Sequence, residues 1–523
     1  MTIFNIYKLP GFLRSIDASS SKLFPLSIIS LFVFSLIILL RYPPFLLEPR
    51  FYAEETIYFE TFHSVINWWE GFDALLYPSY YVGLSRVGGF LASLVEIQNA
   101  PLVTTLFGFF VLLIPMLIIF LTNCKYWENL EQKIVLSLFL IFSCSTGEIW
   151  LNTTSLGFIV AIVTFLILLD DNLESRLKRF TYSAYLCFGV LTGPYVLLMS
   201  PFFLLRYLRH KEKQVLYYCL IFLAFGSLQV LYFFVSFNVG LGSANRFGGG
   251  ITIGIVERLI YLIQFNLIFP LFGYFISFIF RIFIDLINTG FENVRYLPGI
   301  LEMIPTNLEN IFTIVLSFLV KIHGIVNVLV ISMISLFFYF QYKTSDLDEK
   351  LNFLSLYIWL SLAISFLSLG GHGGFRYSYP TGFILLFFLY QKFYAIKGKK
   401  FNRKLTTTII VFSILIGIFE YYPRVLSYSP SVASNSTPYI EWPNWKEEVS
   451  KWENDNDYKP IVWPYLKERD LLFPKKVHIH DLSLDTPEKW EAEGKKRFTS
   501  TLVNLLSEES IDKDSHQNNT NSN

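Results

Sequence analysis

Long runs of almost wholly apolar residues, several of eighteen or more, recur through the first 421 residues of this 523-residue chain. No other feature constrains its fold as strongly. At about 1.5 Å of rise per residue, a helix of that length crosses a ~30 Å hydrocarbon layer. Inside such a layer no water is at hand, so backbone polar groups must pair internally, and helices do this within one segment. Charge is correspondingly scarce there. Residues 422–523 carry 30 charged side chains in 102, against 53 in the preceding 421. The expected fold is an all-α polytopic membrane protein, a bundle of about 11–13 transmembrane helices over residues 1–421. A soluble region should follow over 422–510 and a disordered polar tail over 511–523.

Thirteen apolar segments fit that expectation: 23–41, 79–96, 102–122, 134–148, 151–170, 181–204, 214–238, 256–280, 308–321, 325–342, 351–369, 379–396 and 406–421. The first is too long for a signal core and meets no small-residue cleavage site before Pro43, so it reads as a retained anchor. Basic residues cluster at the N-terminus (Lys8, Arg14, Lys22), after 204 (Arg206, Arg209, Lys211, Lys213) and over 397–404. The positive-inside rule puts all three in the cytoplasm, and thirteen crossings satisfy them together. The 43–78 loop and the C-terminal region then face outward. One cluster fits badly: Arg176, Lys178 and Arg179 fall outside under this parity, where Asp170, Asp171 and Glu174 cancel their charge; the alternative is a re-entrant 181–204, broken at Thr192-Gly193-Pro194.

Several classes drop out. A net charge of +1 with no long basic block excludes nucleic acid as the main partner. Cys124, Cys144, Cys187 and Cys219 sit in or beside apolar runs without Cys-x-x-Cys spacing, so neither a disulfide framework nor a zinc site is implied. No second His stands at ligand spacing from His372, and no metal site is expected. Internal repeats of the kind that build many secondary transporters are not evident.

The first outward loop, 43–78, is the most informative stretch. Six carboxylates (Glu48, Glu54, Glu55, Glu60, Glu70, Asp73) stand beside a single Arg50, and Trp68-Trp69 suits a membrane interface. Glu54 and Glu55 follow the first apolar run by about a dozen residues, which holds them near the outer membrane face. Neighbouring carboxylates raise one another's proton affinity, and either could serve as base toward a hydroxyl. Four separate elements carry a resemblance: Phe51-Tyr52-Ala53-Glu54-Glu55-Thr56-Ile57-Tyr58-Phe59, Tyr81-Val82-Gly83-Leu84-Ser85-Arg86, Thr192-Gly193-Pro194 and Arg376-Tyr377.

In order and sidedness these resemble the GT-C superfamily of integral-membrane glycosyltransferases. The likeness extends over roughly 40–440 to uncharacterised bacterial members and, more distantly, to protein O-mannosyltransferase-like and aminoarabinose-transferase-like enzymes. It implies transfer of a sugar from a polyprenyl-phosphate donor to an acceptor hydroxyl, with inversion, at the outer face of a bacterial plasma membrane. The acceptor would be a glycan, a lipid or a protein. Glu54 and Glu55 are the catalytic candidates, and which of them is the base stays open. No cofactor is required by a monophosphate donor, whereas a diphosphate donor would call for a divalent metal.

Candidate substrate contacts are scattered. Arg376 and Tyr377, with His372, lie in the stretch 370–380, where Gly370, Gly371, Gly373 and Gly374 let backbone approach a ligand and Arg376 offers a fork for phosphate oxygens. Arg86 sits six residues into an apolar segment, where a charge needs a partner or a cavity. Arg246, beside Gly248-Gly249-Gly250, and Glu148, between two apolar segments, complete the set. Two other functions suit the same residues: a transporter or flippase of lipid-linked glycans, and a polymerase or ligase of another membrane fold.

Overall fold

The computed structural model describes residues 23–41, 43–52, 54–63, 65, 67–74, 80–142, 149–173, 175–238, 262–273, 277, 343, 353–367, 375–395, 400–419, 444–455 and 458. The principal helices are α1 (Leu23–Leu40), α2 (Glu55–His63), α3 (Trp68–Asp73), α4 (Gly83–Ser93), α5 (Ala100–Leu121), α6 (Leu130–Phe142), α7 (Leu156–Leu169), α8 (Arg176–Val190), α9 (Ser200–His210), α10 (Lys213–Asn238), α11 (Ser355–Leu367), α12 (Ser378–Ala395), α13 (Lys400–Phe419) and α14 (Trp445–Asn454). No β-strand occurs among the described residues, so the fold they build is all-α. Helices α5 and α10 are long and apolar enough to cross a membrane. On α1 and α10 a broad apolar face is exposed, including Ile29, Phe32, Leu40, Leu223 and Phe234. A water-facing helix would carry polar groups there.

Local chemistry sets the helix ends. The Ser175 side chain accepts from Lys178 N–H and caps α8. Gly193-Pro194 follows the end of α8 and opens a helical turn, Pro194–Leu197, with proline in the first turn, where its missing N–H costs no helical hydrogen bond. The expected break at Thr192-Gly193-Pro194 is therefore present.

The chain forms two compact units. The first comprises Met1–Lys125, Ile149–Gly248 and Ile440–Asn523, the second Tyr126–Glu148 and Gly249–Tyr439. In the second unit α12 is the core helix, with every residue from Phe383 to Leu389 buried. Tyr379 Oη donates to Leu140 O (2.6 Å) and Gln391 Nε2 to Tyr126 O (3.1 Å), which ties α12 to both ends of the α6 segment.

The first unit has two distinct ends. At one, Arg206 donates to Leu168 O (2.6 Å) and Asp170 O (2.9 Å), Lys178 pairs with Asp170 (2.6 Å), and Cys124 Sγ donates to Leu169 O. At the other, Gly83 N–H donates to Leu191 O (2.8 Å) and Ser85 Oγ to Thr153 O (2.6 Å), and Tyr81 exchanges two hydrogen bonds with Gln229. The basic residues from Arg176 to Lys213 gather at the first end, and the acidic 43–74 loop at the second.

Two expectations change. The 79–96 segment does not form one long helix: α4 has only 11 residues, about 16 Å of helix, and lies along α2. A methyl group on Gly89 would come within 2.7 Å of the Tyr58 backbone, so glycine permits that close approach. The C-terminal region, expected as a separate soluble part, also differs where it is described. Helix α14 belongs to the first unit, where Trp445, Val449 and Trp452 share a core with Phe51, Phe59 and Ala92. Trp445 Nε1 donates to Ile97 O (2.9 Å), and its ring meets Phe51 edge-on at 5.5 Å. The expected segments 308–321 and 325–342, and most of 256–280, lie outside the described residues.

Removing this anchor is expected to cost stability. Trp445→Ala deletes a buried indole and should destabilise the first unit by about 3–5 kcal/mol. Limited proteolysis should then cut earlier at 440–460 than in the wild-type protein. Equal cleavage rates would contradict the packing.

Candidate functional site

Residues 50–55 enter α2 through a buried turn. Phe51 and Tyr52 are buried, their rings anchoring the chain, and the Glu54 carbonyl accepts from Ile57 N–H (3.0 Å) and Tyr58 N–H (3.3 Å). Glu54 thus occupies the position just before α2, and its side chain is partly exposed. Glu55, one residue on, points the other way and is 1% exposed. The acidic pair is divided between solvent and core.

The Glu55 carboxyl cross-links three segments. Its Oε2 accepts from Tyr52 N–H (2.7 Å) and Thr104 Oγ1 (3.2 Å), and its Oε1 from Thr153 N–H (2.5 Å) and Thr153 Oγ1 (3.0 Å). Burial pushes its pKa from the usual 4.5 up to about 7, and the four donors, which favour the anion, offset that only in part. Thr104 accommodates the neutral form as well. Its hydroxyl also lies 3.0 Å from Pro101 O, so it can donate there while accepting from a protonated Glu55.

The loop that carries Thr153 is held under strain. Leu151, two residues before it, has φ 52°, a left-handed conformation that costs a bulky residue about 1–3 kcal/mol. A methyl group on Gly108 would come within 2.7 Å of Asn152 N, so glycine lets α5 pass close to this loop.

Arg86 is fully buried beside the same loop. Its guanidinium donates to Gly71 O (2.7 Å), Phe72 O (3.0 Å), Ala74 O (2.6 Å) and Tyr232 Oη (2.8 Å), and it lies 4.5 Å from the Tyr81 ring. These bonds commit it to holding the end of α3. Expected as a substrate contact, it acts here as an anchor for the first loop. Arg86→Met should take this donor from Gly71 O and Phe72 O, while Ala74 O keeps Tyr232 Oη (3.1 Å), and destabilise the protein by about 3–5 kcal/mol. Thermal unfolding of the purified variant checks this, and an unchanged midpoint would contradict it.

The remaining candidates are dispersed. Arg376 and Tyr377 open α12 in the second unit, Arg376 partly exposed and 5.3 Å from the Tyr377 ring. His372, Arg246 and Glu148 lie outside the described residues. Among the described residues no group of three or more His, Cys, Asp or Glu side chains is placed to hold a metal ion. Sequence reasoning passed over Thr104 and Thr153, the latter within Asn152-Thr153-Thr154, which reads as a glycosylation signal abutting an apolar run. Neither stood out, because Thr104 is followed by Thr105 and Thr153 lies among Asn152, Thr154 and Ser155. No family model, no curated protein and no solved structure matches the chain.

Proposed function

We propose that this chain is a multi-pass membrane glycosyltransferase that moves a sugar from a polyprenyl-phosphate carrier to an acceptor hydroxyl at the outer face. The division of the acidic pair supports this reading. Glu54 is within reach of solvent at the head of α2, while Glu55 is fixed by four donors directly behind it. A base must be reachable, as Glu54 is, and the bonds of the adjacent Glu55 fix the backbone that carries it. Glu54 takes the acceptor's proton as its oxygen bonds to the anomeric carbon. The bond from that carbon to the phosphate oxygen breaks on the opposite face, polyprenyl phosphate leaves, and the configuration inverts.

The two ends of the first unit support a membrane setting. With α4 lying at the acidic end instead of crossing, α1 leads out and α5 in; counting the apolar 134–148 run of the sequence as one crossing, α7 leads in, α8 out, the Pro194–His210 stretch in and α10 out. Arg176, Lys178 and Arg179 then join Arg206, Arg209 and Lys211 in the cytoplasm, and the misfit of the thirteen-crossing count disappears. The first loop, residues 149–155, Ile97 and α14 share the outer side.

Cysteines at Asn99 and Asp171, both exposed positions, separate the two topologies in a background free of native cysteine. An impermeant thiol reagent applied to intact cells should label Asn99→Cys and spare Asp171→Cys. Thirteen crossings require the reverse, so the reverse result would overturn this arrangement.

A further inference from the structure

Helices α8 and α10 run side by side in the same direction from the basic end of the first unit, and an open groove of about 470 Å³ lies between their first halves. Its lining changes character along its length. Arg179, Ser183, Gln214 and Tyr217 surround the mouth, and Ile221 and Ala224 belong to the inner part. From Gln214 to the last lining residue of α10, Phe225, the helix rises about 16 Å, which is the depth of one leaflet of a ~30 Å hydrocarbon layer.

The mouth is electropositive for three reasons. Two helix N-termini open there, at Arg176 and Lys213, and each carries a partial positive charge. Arg176 and Lys213 are exposed beside Arg179. Of the nearby described carboxylates, Asp170 and Glu212 are paired, with Lys178 at 2.6 Å and Arg206 at 2.8 Å, and Asp171 is exposed before the start of α8. A groove cationic at the membrane surface and apolar for one leaflet's depth has the chemistry of a phospholipid site.

We infer that this groove binds one anionic phospholipid of the inner leaflet, its phosphate at Arg179 and one acyl chain along Ile221 and Ala224. The inference rests on the membrane reading above but not on the glycosyl-transfer reading. It lies at the opposite end of the first unit from Glu54, so it is a lipid site separate from any donor site there.

Full-length protein extracted in mild detergent from vesicles of phosphatidylcholine with phosphatidylglycerol tests it by native mass spectrometry. The wild-type chain should retain one phosphatidylglycerol in preference to phosphatidylcholine. Arg179→Gln should lower that retention at least tenfold, Arg179→Lys should restore most of it, and Ala224→Trp, an exposed position, should block the acyl chain and abolish it. Equal retention of the two lipids, or an Arg179→Gln protein that keeps phosphatidylglycerol as the wild type does, would overturn the inference alone. A chain released from membranes by alkaline carbonate would overturn the membrane reading and the inference with it.

Discussion

Glu54→Gln is expected to slow sugar transfer at least about 10²-fold while expression, thermal midpoint and donor KM stay near wild type. The amide keeps the size of the side chain and removes its ability to take a proton. Glu54 sits partly exposed at the head of α2, outside the buried core. The deficit should fall on kcat, since proton removal accompanies attack and not binding. Glu54→Asp should recover part of the rate, limited by the shorter reach of the carboxylate. A Glu54→Gln enzyme with wild-type kcat would move the base elsewhere.

Glu55 should show itself in stability instead. Its pKa is raised in the folded protein from 4.5 to about 7, so the folded state holds a proton that the unfolded chain has released between those values. Stability from this group is therefore complete below about pH 4.5, falls as pH rises toward 7, and is level above it. The full difference is about 3 kcal/mol. Glu55→Gln removes the titrating group, but its NH2 must face the N–H of Tyr52 or of Thr153, both donors, and leaves that one without an acceptor. That variant should lose the pH dependence and be less stable than wild type at pH 4.5, with the gap narrowing as pH rises to 7.5. Denaturant unfolding in detergent at pH 4.5, 6 and 7.5 gives the comparison. A wild-type protein that gains stability relative to Glu55→Gln across this range would show that the four donors outweigh burial.

The sequence was most legible where local chemistry decides the outcome. Thr192-Gly193-Pro194 breaks a helix whatever surrounds it, and the apolar runs at 102–122 and 214–238 become α5 and α10 with little change of boundary. The acidic pair stood out because two adjacent carboxylates close behind an apolar run are costly without a purpose. Hydropathy misled at 79–96, where α4 is short and lies along α2 with Gly83, Ser85, Arg86, Gly88, Gly89, Ala92 and Ser93 buried. A window average blurs such a face, although Gly88-Gly89 signals close helix contact. The partners of Glu55 were illegible for another reason. Thr104 and Thr153 are 49 and 98 residues away, and only tertiary packing brings three short segments to one carboxylate. Trp445 is further still, 348 residues from the carbonyl it binds.

The identity of the donor is the central claim, and it can be measured without knowing the acceptor. Purified protein in vesicles would be supplied with polyprenyl-phosphate sugars from total bacterial lipid, with cell-envelope extract as acceptor. Mass spectrometry would then follow the appearance of free polyprenyl phosphate. The wild-type chain should consume at least one sugar-bearing lipid and release polyprenyl phosphate, with Glu54→Gln slower by about 10²-fold or more. If every lipid-linked sugar stays intact with the wild-type protein, or if Glu54→Gln releases polyprenyl phosphate as fast as wild type, the chain is not the glycosyltransferase proposed.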